Sequence, residues 1–271
     1  MNDIAHAHLP YRLSEVEHRY GDHVHILADP FLATRLAHLC SRTTGQPRVN
    51  SIVRGLYRDI VRAVIANEFP RIAIEVQTRM AEFTDRATLS VDGIDPHTKV
   101  VCVDIARAGM LPSQVCFDAL TNLLDPDGVR QDHLIMARTT DAEGRVTGAT
   151  IYGSKIGGPI DGRYVLFPDP MGATGTSLVN AARAYEQEVG GSPTRWIALN
   201  LVITPEFVRK VTDSLPGMHI YALRLDRGLS PPEVLATVPG THWDAERGLN
   251  EIQYIVPGAG GLGEVINNAF V

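Results

Sequence analysis

The stretch VLFPDPMGATGTS, residues 165–177, carries the clearest structural signal in the chain. Its first three residues are apolar and suit a buried strand. Pro168 and Pro170 cannot donate to a strand ladder, so the strand is expected to end there. Asp169 lies between them, and each proline favours extended geometry in the residue that precedes it. The sequence therefore predicts a buried strand with one carboxylate projecting beyond its end.

The segment behind this strand is typical of an anion-binding turn. Residues 173–177 are small enough for backbone N–H groups to approach a ligand closely. The stretch SLVNAARAYEQEVGG, residues 177–191, then has helical periodicity, with Ser177 as the expected N-cap and two glycines at the end. Free N–H groups and the helix dipole favour a phosphate at this point, and the hydroxyls of Thr174, Thr176 and Ser177 add donors. The alternative is a turn that only caps the helix. A Walker A loop is excluded, because no lysine follows the second glycine.

Composition limits the class of protein. The chain has 271 residues, 44% of them hydrophobic, and a formal net charge of −6. It can bury one large core, and its acidity argues against nucleic acid as the main partner. The three cysteines are odd in number and lack CxxC spacing, which favours a reducing compartment. The N-terminal stretch MNDIAHAHLPYR has no apolar signal sequence, and the most apolar run, residues 196–203, is too short to span a bilayer. We therefore expect a cytoplasmic protein that binds neither nucleic acid nor membrane.

The order of the elements predicts an α/β fold. Residues 1–26 are polar and histidine-rich and are interpreted as an N-terminal extension, followed by helices up to about residue 69. From residue 100 onwards, apolar strands alternate with helices, which indicates a central parallel sheet flanked by helices within a domain of residues 27–271. His23 and His25 alternate and are expected on one strand face. Without a cysteine or acidic pair at ligand spacing, no metal site is predicted there.

Two segments are predicted to form neither a strand nor a helix. Residues 84–99 are rich in turn formers, and residues 138–162 are rich in glycine and threonine without clear periodicity. A run of the second length is either a functional cover over a site or an ordinary surface loop. Ligands of parallel sheets bind outside the carboxyl ends of the strands. Arg107, in the turn ARAG after the strand at 100–105, and Asp169 are therefore expected to face one crevice.

Six stretches occur in the order found in one enzyme family. The longest are DPMGATGTS (169–177) and QYIVPGAGGLGE (253–264), and the others are DIARAG (104–109), MAR (136–138), YGSKI (152–156) and RGLNEIQYIVPG (247–258). With these motifs the chain resembles uracil phosphoribosyltransferase, over roughly residues 27–264. The resemblance implies a type I phosphoribosyltransferase fold with a flexible hood over the site and an N-terminal helical extension. It also implies transfer of the phosphoribosyl group of 5-phosphoribosyl-1-diphosphate (PRPP) to uracil, giving UMP and diphosphate in pyrimidine salvage.

The resemblance also implies roles for individual residues. Asp169 and Arg107 would be catalytic, and Mg²⁺ would be bound mainly through the diphosphate. The expected PRPP-binding residues are Arg107, Arg138, Asp169, Pro170, Met171, Gly172, Ala173, Thr174, Gly175, Thr176 and Ser177. Uracil would be read by the main chain of Ile255, Gly260, Gly261 and Leu262. A homo-oligomer is also expected. The transfer should pass through an oxocarbenium-like centre, so that it needs leaving-group stabilisation and positioning rather than a covalent nucleophile.

The chain departs from the family pattern beside the base. GAGGLG, residues 258–263, matches a dinucleotide-binding fingerprint, but too few residues follow it for a βαβ unit. Gly261 stands where the family has an aspartate that supports the phosphoribosyl ligand, and Glu264 stands where it has a second one. Gly172 and Thr176 also replace the more usual leucine and glycine. Two alternatives therefore stay open: transfer to a different nucleobase, and a nucleotide-binding regulator that has lost turnover.

Overall fold

A central sheet of eight strands organises the chain. The computed structural model describes residues 4–140 and 146–270, apart from the side chains of residues 4, 7, 138–140, 146, 147 and 149. The strands are β1 Val24–Ile26, β2 Arg71–Gln77, β3 Thr88–Ile94, β4 Val100–Ala106, β5 Val129–Thr140, β6 Val146–Lys155, β7 Tyr164–Pro168, β8 Met171–Gly172, β9 Arg195–Ile203 and β10 Met218–Leu225. The order in the sheet is β1-β10-β9-β7-β4-β5-β6, and the short β8 pairs with β9. Within this sheet, all strand pairings among the described residues are parallel except that of β5 with β6.

Helices cover both faces of the sheet. The α-helices of the described residues are α1 Ile4–Ala7, α2 Pro30–Cys40, α3 Arg48–Glu68, α4 Met110–Thr121, α5 Thr176–Ala184, α6 Pro205–Ser214, α7 Pro232–Leu235 and α8 Leu262–Asn267. The predicted helix after residue 177 continues beyond α5 as one π-helical segment, Tyr185–Val189. The strand-helix alternation confirms the predicted α/β class.

The core lies in two layers, one on each side of the sheet. Strand β4 shows why, because its residues are almost all buried and alternate between the two faces. Val101 and Val103 pack in the cluster that includes α5 and α6, whereas Val100 and Cys102 pack in the cluster with α2, α3 and α4. The sheet is therefore enclosed, and its carboxyl-terminal edge is left as the place for a ligand.

Strand β1 joins the expected extension to the sheet. Its residues pair in parallel with Ile220, Tyr221 and Ala222 of β10. The last residues of the segment 1–26 are therefore part of the central sheet. No helix among residues 4–140 and 146–270 has the length and apolar character that a membrane span requires.

Two hairpins replace the segments that looked unstructured in the sequence. Strands β2 and β3 form a separate antiparallel pair, so that residues 88–94 are a strand although the segment 84–99 reads as turns. Strands β5 and β6 form an antiparallel arm at the edge of the main sheet, and β6 lies within the segment 138–162 that was expected to be a hood or surface loop. Strands β2 and β3 were missed although their sequences carry a strand pattern. Ile72, Ile74 and Val76 recur at every second position in β2, and Leu89 and Val91 do so in β3.

Candidate active site

A cleft of about 470 Å³ opens at the carboxyl ends of the central strands. Its walls come from segments that follow β4, β7 and β9 and from the loop that leads into α8, as expected for a parallel sheet. The expected residues that line the cleft are Arg107, Asp169, Met171, Ala173, Thr174, Gly175, Thr176, Ser177, Ile255, Gly260, Gly261 and Leu262. Its volume is in the range of small-molecule sites.

The turn before α5 forms the phosphate wall of the cleft, residues 169–177. Gly175 has φ +77° and is the N-cap residue of α5, so Ser177 lies in the first turn and is not the cap that the sequence suggested. A Cβ on Gly175 would also lie 3.1 Å from Val211 Cγ2. The first N–H groups of a helix have no partner within the helix. Together with the Thr174 and Thr176 hydroxyls, which lie 3.2 Å apart, they make this turn a suitable site for a phosphate.

Asp169 follows β7 directly, as the two prolines predicted. Its backbone N–H donates to the carbonyl of Leu199 at 3.0 Å, and its own carbonyl accepts from Asn200 Nδ2 at 2.7 Å. The carboxylate is half-buried, and its Oδ1 accepts from the Met171 N–H at 3.2 Å. Since both backbone groups are bound to the neighbouring strand, the carboxylate stands on a rigid support.

Pro170 and Gly172, two of the expected PRPP-binding residues, belong to this wall but do not line the cleft. The carbonyl of Pro170 accepts from the N–H groups of Leu201 and Val202, both at 3.1 Å. A Cβ on Gly172 would lie 2.9 Å from Ile203 Cγ2 and 3.0 Å from the Phe207 ring. Glycine at position 172 therefore makes room for the Phe207 ring, which itself lines the cleft.

Arg107 lines the same cleft as this wall. It follows β4, and its side chain is exposed. Gly109, two residues on, packs so closely that a Cβ would be 2.8 Å from the Ile105 backbone and 3.2 Å from the Pro168 carbonyl. The turn ARAG is thereby pressed against the end of β7, which brings Arg107 and Asp169 to one cleft as predicted.

The expected base-reading residues lie in the base wall, residues 253–264. Gln253, Tyr254 and Ile255 reach the cleft at its start, and residues 260–264 reach it at its end. Gly261 has φ −77°, so its backbone conformation does not require glycine. A Cβ there would lie only 2.7 Å from Glu264 Oε2. The Glu264 carboxylate thus occupies the space that a side chain at position 261 would enter.

Arg138 is on the β5–β6 arm. It pairs with position 149 of β6, but its side chain lies outside the described residues, so its expected contact with the diphosphate stays a prediction. Its neighbours Met136 and Ala137, together with Gly148 of β6, line the cleft. The arm therefore contributes to the site, as expected of a hood.

Several residues that line the cleft were not proposed from the sequence, among them Asn200, Phe207 and Tyr254. Asn200 is 2% exposed, and no donor among the described residues lies within hydrogen-bonding distance of its Oδ1. A single amide in the apolar run WIALNLVI was the available signal, because a buried polar group in a strand needs a partner or a function.

A second polar cluster lies away from the cleft, around Glu68 at the end of α3. Ligand atoms of His25, Glu68 and His219 lie within 4.8 Å of one another, a spacing that invites a metal. The ring nitrogens are engaged, however: His219 Nδ1 contacts Glu68 at 3.0 Å and its Nε2 contacts the Arg195 guanidinium, whose charge opposes a cation. Burial alone would raise the pKa of Glu68, but hydrogen bonds from His219 and Tyr221 outweigh it and lower the pKa to about 2. The cluster is better suited to joining α3 to the edge of the sheet.

Comparisons with known proteins identify one enzyme family. The family model for uracil phosphoribosyltransferase matches residues 26–242, which include Arg107 and Asp169. The uracil phosphoribosyltransferase of Staphylococcus epidermidis is 25% identical over 89% of this chain and 96% of its own length. That of Pyrobaculum arsenaticum is 27% identical over 91% of this chain and 96% of its own length.

The fold also has a solved counterpart. The structure of the AQ2163 protein from Aquifex aeolicus is similar, with a TM-score of 0.68 over 90% of this chain and 97% of that one. The two share 19% sequence identity, so this likeness concerns the fold alone.

Proposed function

The chain belongs to the uracil phosphoribosyltransferase family and has the type I phosphoribosyltransferase fold, and from this premise we propose that it transfers the phosphoribosyl group of PRPP to uracil. The products are UMP and diphosphate, a pyrimidine salvage reaction. One observation carries the proposal: Arg107, Asp169, the phosphate wall and the base wall surround the same cleft.

The phosphate wall is suited to the ribose 5-phosphate part of the donor. The 5′-phosphate binds at the N-terminus of α5, where backbone N–H groups and the hydroxyls of Thr174, Thr176 and Ser177 donate to it. Asp169, on its rigid support at the end of β7, accepts hydrogen bonds from the ribose 2′ and 3′ hydroxyls. This places the anomeric carbon between Arg107 and the base wall.

Arg107 acts on the leaving group. Its planar guanidinium matches diphosphate oxygens in a bidentate way and neutralises the negative charge that grows as the bond to the anomeric carbon breaks. Arg138 is proposed to assist from the β5–β6 arm. Because the ribosyl centre becomes oxocarbenium-like, the arm also has to exclude water, which would otherwise capture it.

The donor is proposed to bring Mg²⁺ with it. The cleft offers carboxylate oxygens from Asp169 and Glu264, a donor set that suits this hard cation. The ion would be bound mainly through diphosphate oxygens, with these carboxylates beside it, and would supply further neutralisation of the leaving group.

The base wall is suited to uracil because it offers main-chain groups. Uracil presents two carbonyls and N–H groups, so backbone N–H and C=O groups of Ile255, Gly260, Gly261 and Leu262 can pair with its edge. None of these four positions has a polar side chain that would select an amino-substituted base instead. A different nucleobase is the alternative within the same chemistry.

The enzyme is also proposed to act as a cytoplasmic homo-oligomer. Hairpin β2–β3 exposes Ile72, Val76, Met80, Phe83 and Leu89, with Phe83 76% exposed. A two-stranded hairpin is marginally stable alone, and a second copy would cover this apolar surface. Cys40, Cys102 and Cys116 are free thiols, which agrees with a reducing compartment.

The decisive experiment measures product. Chromatographic detection of UMP from uracil, PRPP and Mg²⁺ should show turnover, and a panel of other nucleobases should give slower rates. The Asp169→Asn variant serves as the control for the site. Faster conversion of another base would replace uracil in the proposal, and binding of UMP without turnover on any base would favour the non-catalytic regulator.

A further inference from the structure

The base wall needs an anchor, because little regular structure holds it. It begins at an isolated antiparallel bridge between Leu249 and Ile255 and ends in α8, a helix of 6 residues. The N–H groups of Gly248 and Leu249 donate to Glu206, which fixes the approach to the wall. Between Ile255 and α8 the chain needs a different support.

Gly258 is the point where this support acts. The Gly258 N–H donates to Asp226 Oδ2 at 2.7 Å, and its carbonyl accepts from Arg224 Nη2 at 3.1 Å. Both polar groups of one peptide residue are thus held by two side chains from the end of β10. We refer to Arg224 and Asp226 as the Gly258 clamp.

The two side chains of the clamp also form an ion pair with each other. Arg224 Nε lies 2.6 Å from Asp226 Oδ1, and Arg224 Nη2 lies 2.7 Å from Asp226 Oδ2, a two-pronged pairing. Asp226 is 2% exposed, and its backbone N–H donates to the carbonyl of Ile203 at 2.8 Å. An ion pair with a buried carboxylate contributes little net stability compared with apolar residues, so stability alone does not account for this one.

The position of Gly258 decides where the base-reading groups lie. Gly258 has φ +64°, and a Cβ there would lie 2.2 Å from the Ile255 carbonyl oxygen. The chain therefore bends sharply between Ile255 and Gly260, two residues that line the cleft on either side of the bend. A small rotation at Gly258 would move the backbone groups of residues 260–262 relative to the ribose site.

We propose that Arg224 and Asp226 are positioning residues for the nucleobase: they hold Gly258 so that the main chain of residues 260–262 meets the base edge. The role of the base wall rests on the proposed function, but the clamp itself is a property of the free protein. Neither side chain lines the cleft, so they act through the loop and not on the substrate. A misplacement of about 1 Å in such a loop is enough to impair catalysis.

The test uses the full chain with Asp226→Asn and Arg224→Lys. Asparagine keeps the shape but loses the charge, and lysine keeps the charge but loses the planar fork. We expect the KM for uracil to rise at least about tenfold in Asp226→Asn, with the KM for PRPP changed less than about threefold. Arg224→Lys should shift the uracil KM in the same direction. Arg209→Lys is the matched control, since Arg209 forms an exposed ion pair with Asp244.

Amide hydrogen exchange of residues 253–262 in the ligand-free protein gives a second readout. The clamp variants should exchange faster there than the wild type, while residues 169–177 stay unchanged. Equal rises in both KM values, or unchanged exchange, would overturn the clamp. If the wild type fails to convert uracil, the proposed function is wrong. The hydrogen-exchange measurement alone then tests the clamp. If Asp226→Asn does not fold, Arg224→Lys decides by the same two readouts.

Discussion

The two walls of the cleft are built by different means. The phosphate wall, residues 169–177, is bound to β9 through backbone groups, including Asp169, Pro170 and Gly172. The base wall, residues 253–264, has one bridge to Leu249 and one backbone hydrogen bond from the Gly228 N–H to the Val256 carbonyl. Beyond these it depends on the side chains of Arg224 and Asp226. A strand ladder fixes backbone position through many bonds, whereas a loop held by side chains depends on a few. Substitutions in the first wall should therefore affect ligand contacts alone, and those in or behind the second should also affect loop order.

The largest effect is expected from Asp169→Asn. Each charge-assisted hydrogen bond to a ribose hydroxyl that is lost should cost about 1.5–3 kcal/mol, and each such loss means roughly tenfold or more in PRPP affinity. The ladder around Asp169 uses backbone groups, so thermal stability should hardly change. Calorimetric titration with PRPP measures the effect, with Asp213→Asn on the exposed side of α6 as control. Unchanged affinity would remove Asp169 from the site.

A smaller effect is expected from Arg107→Lys, in the same cleft. The charge is preserved but the bidentate fork is lost, so turnover should fall at least about tenfold, equivalent to ~1.4 kcal/mol at the transition state. Steady-state rates at saturating substrates are the measurement, and Arg209→Lys is again the control. Full activity would show that Arg107 is only a surface cation.

A still smaller effect on the rate of UMP formation is expected from changes to Glu264, the carboxylate of the base wall. Because Glu264 fills the space beside Gly261, we expect Glu264→Gln to slow UMP formation about fivefold, equivalent to ~1 kcal/mol. Gly261→Asp should bring no gain, since a second carboxylate would face the first. The opposite pattern, a faster Gly261→Asp and a silent Glu264→Gln, would mean that the missing family aspartate limits the rate.

The smallest effect on turnover is expected from Glu68→Gln, which lies outside both walls. The folded pKa of Glu68, about 2, is below the ordinary value of about 4.3, so its contribution to stability is complete above pH ~4.3 and is lost as the pH falls through about 2. The variant should be less stable than the wild type at pH 7, by about 2–3 kcal/mol, and this difference should shrink below pH ~4.

Urea unfolding at pH 7 and pH 3 measures this difference, with the exposed Glu186→Gln as control. Turnover at pH 7 should be unaffected, because the Glu68 cluster does not touch the cleft. A loss of turnover with normal stability would connect this cluster to the site after all.

Sequence reasoning was most successful where a structural feature depends on residues that are neighbours in the chain. Two prolines predicted the end of β7 at Asp169, and small residues before a helical pattern predicted the turn into α5; both are confirmed. It failed for Ser177 as the N-cap, because the choice of Gly175 depends on packing against Val211. It also missed strands β2 and β3, although apolar residues recur there at every second position, as at Ile72, Ile74 and Val76 of β2.

By itself, the sequence determined the α/β class, the two strand ends that carry Arg107 and Asp169, and the motifs that indicate a phosphoribosyl site. These are local properties, set by proline, glycine and apolar spacing within a few residues. Only the tertiary structure decided that Phe207 fills the space at Gly172 and that Arg224 and Asp226 hold Gly258. These contacts join residues up to 35 positions apart along the chain. Such pairs leave no periodic pattern, because their meeting depends on how the whole sheet stacks its strands and helices.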